Sequence, residues 1–176
     1  MNDLLIRLLG GVIGTFGFEC FFEVKLNRIP ASMLGGIVGT FVYLVCIRGG
    51  MHEFVANTIA AFLITLYSET VARILHSPVP TFQIPGLIVL VPGRTLYYTM
   101  SNLISGNFAA GGQFAVTTLQ VGAGIADGII CGTVLFGLIE LVVKKANSAI
   151  HAKQEKRRCR KINVFPQRLI RELKRL

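Results

Sequence analysis

The chain has no tryptophan, and only 15% of its 176 residues are charged, well below the share of about 25% in soluble domains. Acidic residues are especially scarce, with nine Asp and Glu against eighteen Lys and Arg. The apolar residues, 52% of the chain, come in long blocks and do not alternate with polar ones. This composition excludes an ordinary soluble domain and indicates an integral membrane protein.

The signatures of common enzymes and metal sites are also missing. The four cysteines, at positions 20, 46, 131 and 159, have no metal-type spacing, and His52, His76 and His151 are widely scattered. No Walker, dinucleotide-binding, HExxH or Ser/His/Asp pattern occurs. We therefore expect no enzyme, no metal site and no cofactor.

Five apolar segments are long enough to cross a bilayer as helices, at residues 4–22, 31–47, 54–75, 81–104 and 113–143. The first residues lack the basic region and small-residue cleavage site of a secretory signal, so we expect the first segment to be retained. The predicted fold is an all-α membrane protein with a transmembrane domain at 1–146 and a basic tail at 147–176.

Basic residues predict the orientation. Twelve of the eighteen Lys and Arg residues lie from Lys144 onward, and Lys25, Arg28 and Arg73 border the first and third connections. Positive charge accumulates on the cytoplasmic side, so the amino terminus is expected outside and the carboxyl terminus inside. Within the tail, residues 164–176 carry apolar side chains at helical spacing, which favours either a helix on the anionic inner leaflet or a solvated helix.

Small residues predict where the helices pack. Glycines four residues apart form one face in three of the spans, at Gly10 and Gly14, at Gly35 and Gly39, and at Gly124, Gly128 and Gly132.

Polar residues inside the spans predict a polar interior. Gln120 and Asp127 belong to a continuous face of the fifth span with Gln113, Thr117, Gly124 and Cys131. An ionised Asp in lipid costs about 2.5–3.5 kcal/mol, so Asp127 is expected to face a polar interior or a cation. Glu69 is expected to join it as a proton-coupling residue, or to form a structural ion pair with Arg73. Glu19 is the third candidate, with an interfacial position as the alternative.

Two helix-breaking steps, Pro85-Gly86 and Pro92-Gly93, interrupt the fourth span. Irregular backbone at membrane depth is tolerated only beside protein or a cavity, and a helix restarting at Gly93 directs free amides there. Arg94 adds a positive charge, which predicts a site for an anionic group near the midplane. A packing kink, with Arg94 paired to Asp127 or Glu69, is the alternative. The expected substrate-binding residues are Pro92, Gly93, Arg94, Thr95, Tyr97, Tyr98, Ser101, Asn102 and Gln120, with Ser105 on the same face.

Around these breaks the chain resembles the threonine/serine exporters of the ThrE type, specifically their C-terminal half, which in many bacteria is a separate polypeptide. The resemblance covers most of residues 8–145 and rests on Ala72-Arg73, Pro78 or Pro80, Ile84-Pro85-Gly86, Val91-Pro92-Gly93, Tyr97 and the Gly- and Ala-rich stretch up to Lys145. The chain departs from the family at Val89-Leu90, where a further Pro is frequent, and at Arg94, where an apolar residue is common.

The resemblance implies proton-driven export of small amino acids such as threonine and serine by a half-transporter. The family's N-terminal half is implied as companion subunit, in a hetero-oligomer or beside a homo-oligomer. Some split relatives are associated with dicarboxylate efflux, so a dicarboxylate exporter subunit is one alternative. A passive small-solute pore and a non-transporting assembly subunit are the others. Membrane lipids are expected to contact the tail, and nucleic acid is not expected as a partner.

Overall fold

The computed structural model describes the backbone of residues 2–22 and 24–173, and the side chains of residues 6, 8–22, 24–146 and 148. The described part is helical apart from short connections and has no strand, with the elements α1 (Asn2–Phe21), a 3-10 turn (Leu26–Arg28), α2 (Ile29–Arg48), α3 (Glu53–Ile74), α4 (Pro80–Ile88), α5 (Gly93–Ile104) and α6 (Phe108–Leu173). This confirms the predicted all-α class.

Local sequence explains where these helices begin and end. Pro30 lies in the first turn of α2, where its missing N–H costs no hydrogen bond. Gly50, at φ +78°, lets the chain turn between α2 and α3. His76 has a φ of +48° directly after α3, and Pro78 and Pro80 then start the next helix.

The first four helices pack side by side, with neighbours in the chain running antiparallel. Gly11 of α1 faces Thr40 of α2, and Gly36 faces Thr15 one turn along. Helix α4 runs against both α2 and α3: a Cβ on Gly86 would lie 3.0 Å from Ile64 and 3.7 Å from the backbone of Gly35 and Gly36.

The predicted glycine faces are confirmed in two of the three helices. Gly35 packs on the Tyr67 ring and Gly39 on Ile64, while Gly124, Gly128 and Gly132 pack on α3. The prediction for α1 is wrong, because Gly10 and Gly14 face open space and Gly11 makes the close contact instead. The spacing was right, but only the packing partner decides which side of α1 is turned inward.

Helices α5 and α6 form an antiparallel hairpin at one end of this bundle. The Thr118 hydroxyl donates to the Thr95 hydroxyl oxygen at 3.0 Å, Tyr98 stacks on Phe114, and Leu103 packs on Gly111. Further along α6, Gly124 lies against the carbonyl of Phe54, the second residue of α3. The sixteen residues of α6 before Gly124, about 24 Å of helix, therefore extend past the start of α3.

The predicted fourth span, 81–104, consists of two short helices in succession, and whether the two together cross the membrane stays a prediction. Helix α4 has nine residues and α5 has twelve, and at about 1.5 Å per residue neither reaches across a core of about 30 Å. Within the part of the chain that the structure describes, three helical segments are long and apolar enough to span a membrane: Leu26–Arg48, Glu53–Ile74 and Phe108–Ala146, with Leu8–Phe21 as a shorter apolar helix.

The chain divides into two compact units, Met1–Phe136 and Gly137–Leu176. The first contains α1 to α5 and the first part of α6. The second is the continuation of α6, where Lys144 pairs with Glu140 at 2.9 Å, four residues apart. The side chains of residues 149–176, which carry the predicted lipid-facing pattern of the tail, lie outside the described residues.

Candidate functional site

Of the two Pro-Gly steps, only the second breaks a helix. Helix α4 continues through Pro85-Gly86, which contradicts the predicted first interruption. Pro85 lies in the second turn of α4, so it removes a single hydrogen bond near the helix start. Gly86 provides the close approach to α2 and α3. This first step is a packing device.

The second step is a tight turn centred on Pro92. Its φ of −78° and ψ of 53° are those of an inverse γ-turn, closed by the Gly93 N–H donating to the Val91 carbonyl at 2.8 Å. Proline holds φ near the value that this turn requires. Helix α5 then begins, with the Leu96 N–H and the Thr95 hydroxyl both donating to the Pro92 carbonyl, at 3.0 and 3.1 Å.

This turn leaves two amides of α5 unused. The N–H groups of Arg94 and Thr95 precede the first helical hydrogen bond and have no acceptor among the described residues. No side chain caps this end of the helix. A helix start of this kind carries a partial positive charge.

These amides border a cavity of about 620 Å³, a volume within the usual range for small-molecule sites. It is enclosed by α2, α3, the α4–α5 turn, α5 and α6. Its lining consists of Tyr43, Glu53, Asn57, Val89, Leu90, Val91, Pro92, Gly93, Arg94, Thr95, Tyr98, Phe114, Thr117 and Val121. Pro92, Gly93, Arg94, Thr95 and Tyr98 of the predicted set thus meet at one cavity.

Charges of both signs line this cavity. The Arg94 guanidinium lies 5.7 Å from the centre of the Tyr98 ring and forms no ion pair with a described residue. Glu53, the first residue of α3, contributes a carboxylate. Glu53 and Asn57 were missed from the sequence because they stand at a helix start, where an acidic residue is common for reasons of helix stability alone.

The structure locates the break relative to the other helices, while its predicted depth near the membrane midplane stays a prediction. Arg94 shares the cavity with Glu53 at the first turn of α3, so the break lies near one end of the four-helix bundle and not at its middle. The reason is the length of α4. Gln83, near its start, contacts Thr65 of α3, and the turn after α4 lines the cavity with Asn57, about two turns nearer the start of α3.

The remaining predicted binding residues lie outside this cavity. Tyr97 is exposed and meets Tyr98 edge to face. Ser101 is half-buried, and Asn102 is held by its side-chain amide, which donates to the Tyr98 carbonyl at 2.8 Å. Gln120 lines a neighbouring cavity of about 500 Å³, together with Glu53 and Thr117.

The polar stripe predicted on the last span does not form one interior face. Gly124 is buried against α3, whereas Gln113, Gln120, Asp127 and Cys131 are exposed. Asp127 therefore does not face the interior of this chain and makes no ion pair with a described residue, so its polar or cationic environment stays a prediction. The close packing of Gly124, Gly128 and Gly132 on α3 rotates these polar side chains away.

Glu69 forms the predicted ion pair with Arg73, four residues away. The Arg73 guanidinium also lies 4.2 Å from the centre of the Phe136 ring. Glu69 is thus placed as a structural partner, and it does not line the cavity. The alternative pairing of Arg94 with Asp127 or Glu69 is not present.

Glu19 lies inside the bundle and not at an interface. Its side chain has no solvent exposure, and neither carboxyl oxygen has a hydrogen-bond donor among the described residues. Ser32 of α2 and Ser68 of α3 are also fully buried with unpartnered hydroxyls. No cluster with the ligands of a metal ion occurs among the residues that were placed.

Comparison with known proteins yields one match. The family model described as "Threonine/Serine exporter, ThrE" matches residues 7–135, most of the chain. No curated protein was found to match the chain, and no solved structure was either.

Proposed function

Because the chain belongs to the threonine/serine exporter family, we propose that it is a subunit of a secondary exporter moving small amino acids such as threonine and serine across the bacterial cell membrane. The observation that supports this most directly is the cavity at the α4–α5 break, which carries both a cation and a carboxylate. A free amino acid is a zwitterion and needs both charges.

Each end of the substrate has a complementary group in this proposal. The Arg94 guanidinium and the free amides of Arg94 and Thr95 bind the carboxylate. Glu53 binds the ammonium group, with Asn57 and Thr117 available for a side-chain hydroxyl. A dicarboxylate fits this arrangement less well, because Glu53 would repel its second carboxylate.

We further propose a companion membrane subunit, as the family resemblance implies. In support, the face of α6 that carries Asp127 and Gln120 is open. In its most apolar stretch only 11% of the residues are buried, against 39% in the corresponding stretches of α2 and α3. An ionised Asp in lipid costs about 2.5–3.5 kcal/mol, so a protein surface with a donor or cation would stabilise it. The proposed orientation keeps the amino terminus outside, with the cavity at the outer end of the bundle.

Replacing Arg94 tests the binding site. The tagged complex is purified from its native membrane, which also shows whether a second membrane subunit accompanies it, and is reconstituted into vesicles loaded with labelled threonine or serine. We expect Arg94→Ala to lower kcat/KM about tenfold to a hundredfold, because a charge-assisted hydrogen bond of about 1.5–3 kcal/mol is lost.

Arg94→Lys, which keeps the positive charge, should retain part of the flux, and Arg48→Ala serves as a matched control outside the cavity. Wild-type kinetics in Arg94→Ala would remove the carboxylate site. A passive pore would behave differently. Its flux would be the same with and without an ion gradient and would not saturate as the substrate concentration rises.

A further inference from the structure

Among the described residues of the α1–α4 bundle, four buried side-chain oxygen atoms make no hydrogen bond of normal geometry. They are the two carboxyl oxygens of Glu19 and the hydroxyl oxygens of Ser32 and Ser68. Other buried hydroxyls in the same bundle are satisfied within their own helices: Thr15 donates to the Gly11 carbonyl at 2.9 Å and Thr40 to the Gly36 carbonyl at 2.8 Å. The unpartnered groups are therefore an exception in this core, and an exception of this kind requires an explanation.

Helix register brings these groups to one level of the bundle. Thr15 faces Gly36, so one turn further along the antiparallel pair Glu19 comes opposite Ser32, whose hydroxyl faces the Glu19 carboxyl. Ser68 is next to Tyr67, whose hydroxyl donates to the Ala31 carbonyl at 2.6 Å. A carboxyl and two hydroxyls thus come from three different helices.

No described cation neutralises Glu19. On α2 and its preceding turn, Lys25 and Arg28 line a cavity at the end of the bundle. On α3, Tyr67 is bonded to Ala31 and Glu69 is paired with Arg73. Helix α4 carries no titratable residue, and Cys20 on α1 is exposed. Because an isolated buried carboxylate is very costly, the Glu19 carboxyl must hold a cation of its own.

That cation is a proton and not a metal ion. Monovalent metal sites in transporters use backbone carbonyls freed by unwound helices. Here α2 and α3 are continuous through Ser32 and Ser68, so their carbonyls remain engaged. Three side chains alone do not replace the hydration shell of a metal ion, whereas one carboxyl oxygen is sufficient for a proton.

A route for the proton begins at the basic end of the bundle. A cavity of about 390 Å³ lies there, lined by Phe22, Val24, Lys25, Arg28, Pro78, Pro80, Thr81, Ile84 and Pro85. Glu19 is one helical turn before Phe22 on α1, so it lies next to the inner wall of this cavity. Along α2, Ser32 is eleven residues from Tyr43 of the substrate cavity, about 16 Å. Glu19 therefore lies between the two cavities without lining the substrate cavity.

We propose that Glu19 carries the coupling proton of the exporter, with Ser32 and Ser68 as its polar partners. The inference rests on the proposed export function for its physiological role, although the protonation itself does not. In the conformation described here the Glu19 carboxyl group is shielded from solvent and, in this proposal, protonated. When the bundle rearranges, its O–H bond breaks and the proton passes to water in one cavity; the carboxylate later takes a proton from the opposite side.

The first test reads the proton directly and needs no transport. Infrared spectroscopy of the purified complex at neutral pH should show the carbonyl stretch of a buried protonated carboxyl. We expect this band to be lost in Glu19→Gln, to persist in Glu19→Asp and to move in Ser32→Ala, with unchanged amide bands in each. A Glu19→Gln spectrum identical to that of wild type would overturn the proposal. This holds even if the complex does not transport threonine or serine.

The second test separates substrate movement from coupling in reconstituted vesicles. In Glu19→Gln, threonine exchange at equal pH should stay within about twofold of wild type, while accumulation driven by a pH gradient should fall at least about tenfold. Thr15→Val, which removes a buried hydroxyl one turn away, should leave both unchanged. Wild-type accumulation in Glu19→Gln would overturn the inference, as would loss of exchange in a variant that elutes and melts like wild type.

These outcomes are distinct from failure of the export function. If the wild-type complex moves neither threonine nor serine, the exporter proposal fails, and the infrared result alone decides the fate of the proton site. If Glu19→Gln does not fold, Ser32→Ala replaces it. An unchanged pH dependence of accumulation and an unshifted carboxyl band in Ser32→Ala would then overturn the assignment.

Discussion

At the scale of single residues, four carboxyl side chains have four different environments. Glu53 lines the cavity with Arg94, Glu69 pairs with Arg73, Glu19 is buried without a partner, and Asp127 is exposed on α6. The sequence around these residues gave little indication of which environment each carboxylate would have. What separates them is the identity of the helix that each one faces.

The first prediction belongs to this scale and concerns Glu53. We expect Glu53→Gln to raise the KM for threonine about tenfold, because the ammonium group loses its opposite charge, about 1.5 kcal/mol. The same change should improve inhibition by a dicarboxylate, since a repulsive charge is removed. Vesicle efflux with both compounds measures this. A rise in KM without any change toward the dicarboxylate would contradict the assigned role.

At the scale of elements, glycines determine how α6 lies against α3. A Cβ on Gly128 would come 2.5 Å from the Thr58 carbonyl, and one on Gly124 would come 2.6 Å from that of Phe54. These neighbours are backbone atoms of another helix and have little freedom to move. Gly122, on the same helix, has nothing within 4 Å of its added Cβ.

The second prediction compares two Gly-to-Ala changes on this helix. We expect Gly128→Ala to lower the melting temperature, because α6 and α3 must separate. Gly122→Ala should be neutral or stabilising by up to about 1 kcal/mol, since Ala favours helix. Thermal unfolding in detergent, followed by size-exclusion chromatography, measures both. Equal melting temperatures would mean that α6 does not pack on α3 through this face.

At the scale of the whole molecule, the direction of the helices relative to the membrane follows from charge. Helix α3 and the first part of α6 run parallel. Helices α1 and α3 are each antiparallel to α2, so α1 runs in this same direction. The basic turn with Lys25 and Arg28 therefore lies at the opposite end of the bundle from the cavity. The positive-inside tendency predicts that this turn lies in the cytoplasm.

Cysteine labelling in intact cells tests this orientation. In a background without native cysteines, Met51→Cys in the α2–α3 connection should react with a membrane-impermeant maleimide. Asn27→Cys in the basic turn should react only after the membrane is permeabilised, because the reagent cannot reach the cytoplasm. Both positions are exposed, so accessibility within the protein does not separate them. The reverse pattern would invert the proposed topology.

Much of the architecture and part of the site follow from sequence. Long apolar blocks determine helices, since unpaired backbone polar groups are too costly in lipid. A proline favours a break, because it fixes φ and lacks an N–H, and one of the two predicted breaks, at Pro92, is present. Five of the nine expected binding residues come together at the cavity because they are close in the chain around that turn.

The remaining features depended on which surfaces meet. Pro85 breaks nothing and Gly86 serves close packing, although the dipeptide is the same as at the true break; only the contacts with Ile64 and Gly35 distinguish the two. Asp127 faces outward because α6 turns its glycines toward α3. Glu53 and Arg94 line the same cavity although they are 41 residues apart in the sequence. Helical periodicity states which residues share a face. The element against which that face packs is decided by the tertiary structure, because packing energy depends on both partners and a sequence pattern describes only one.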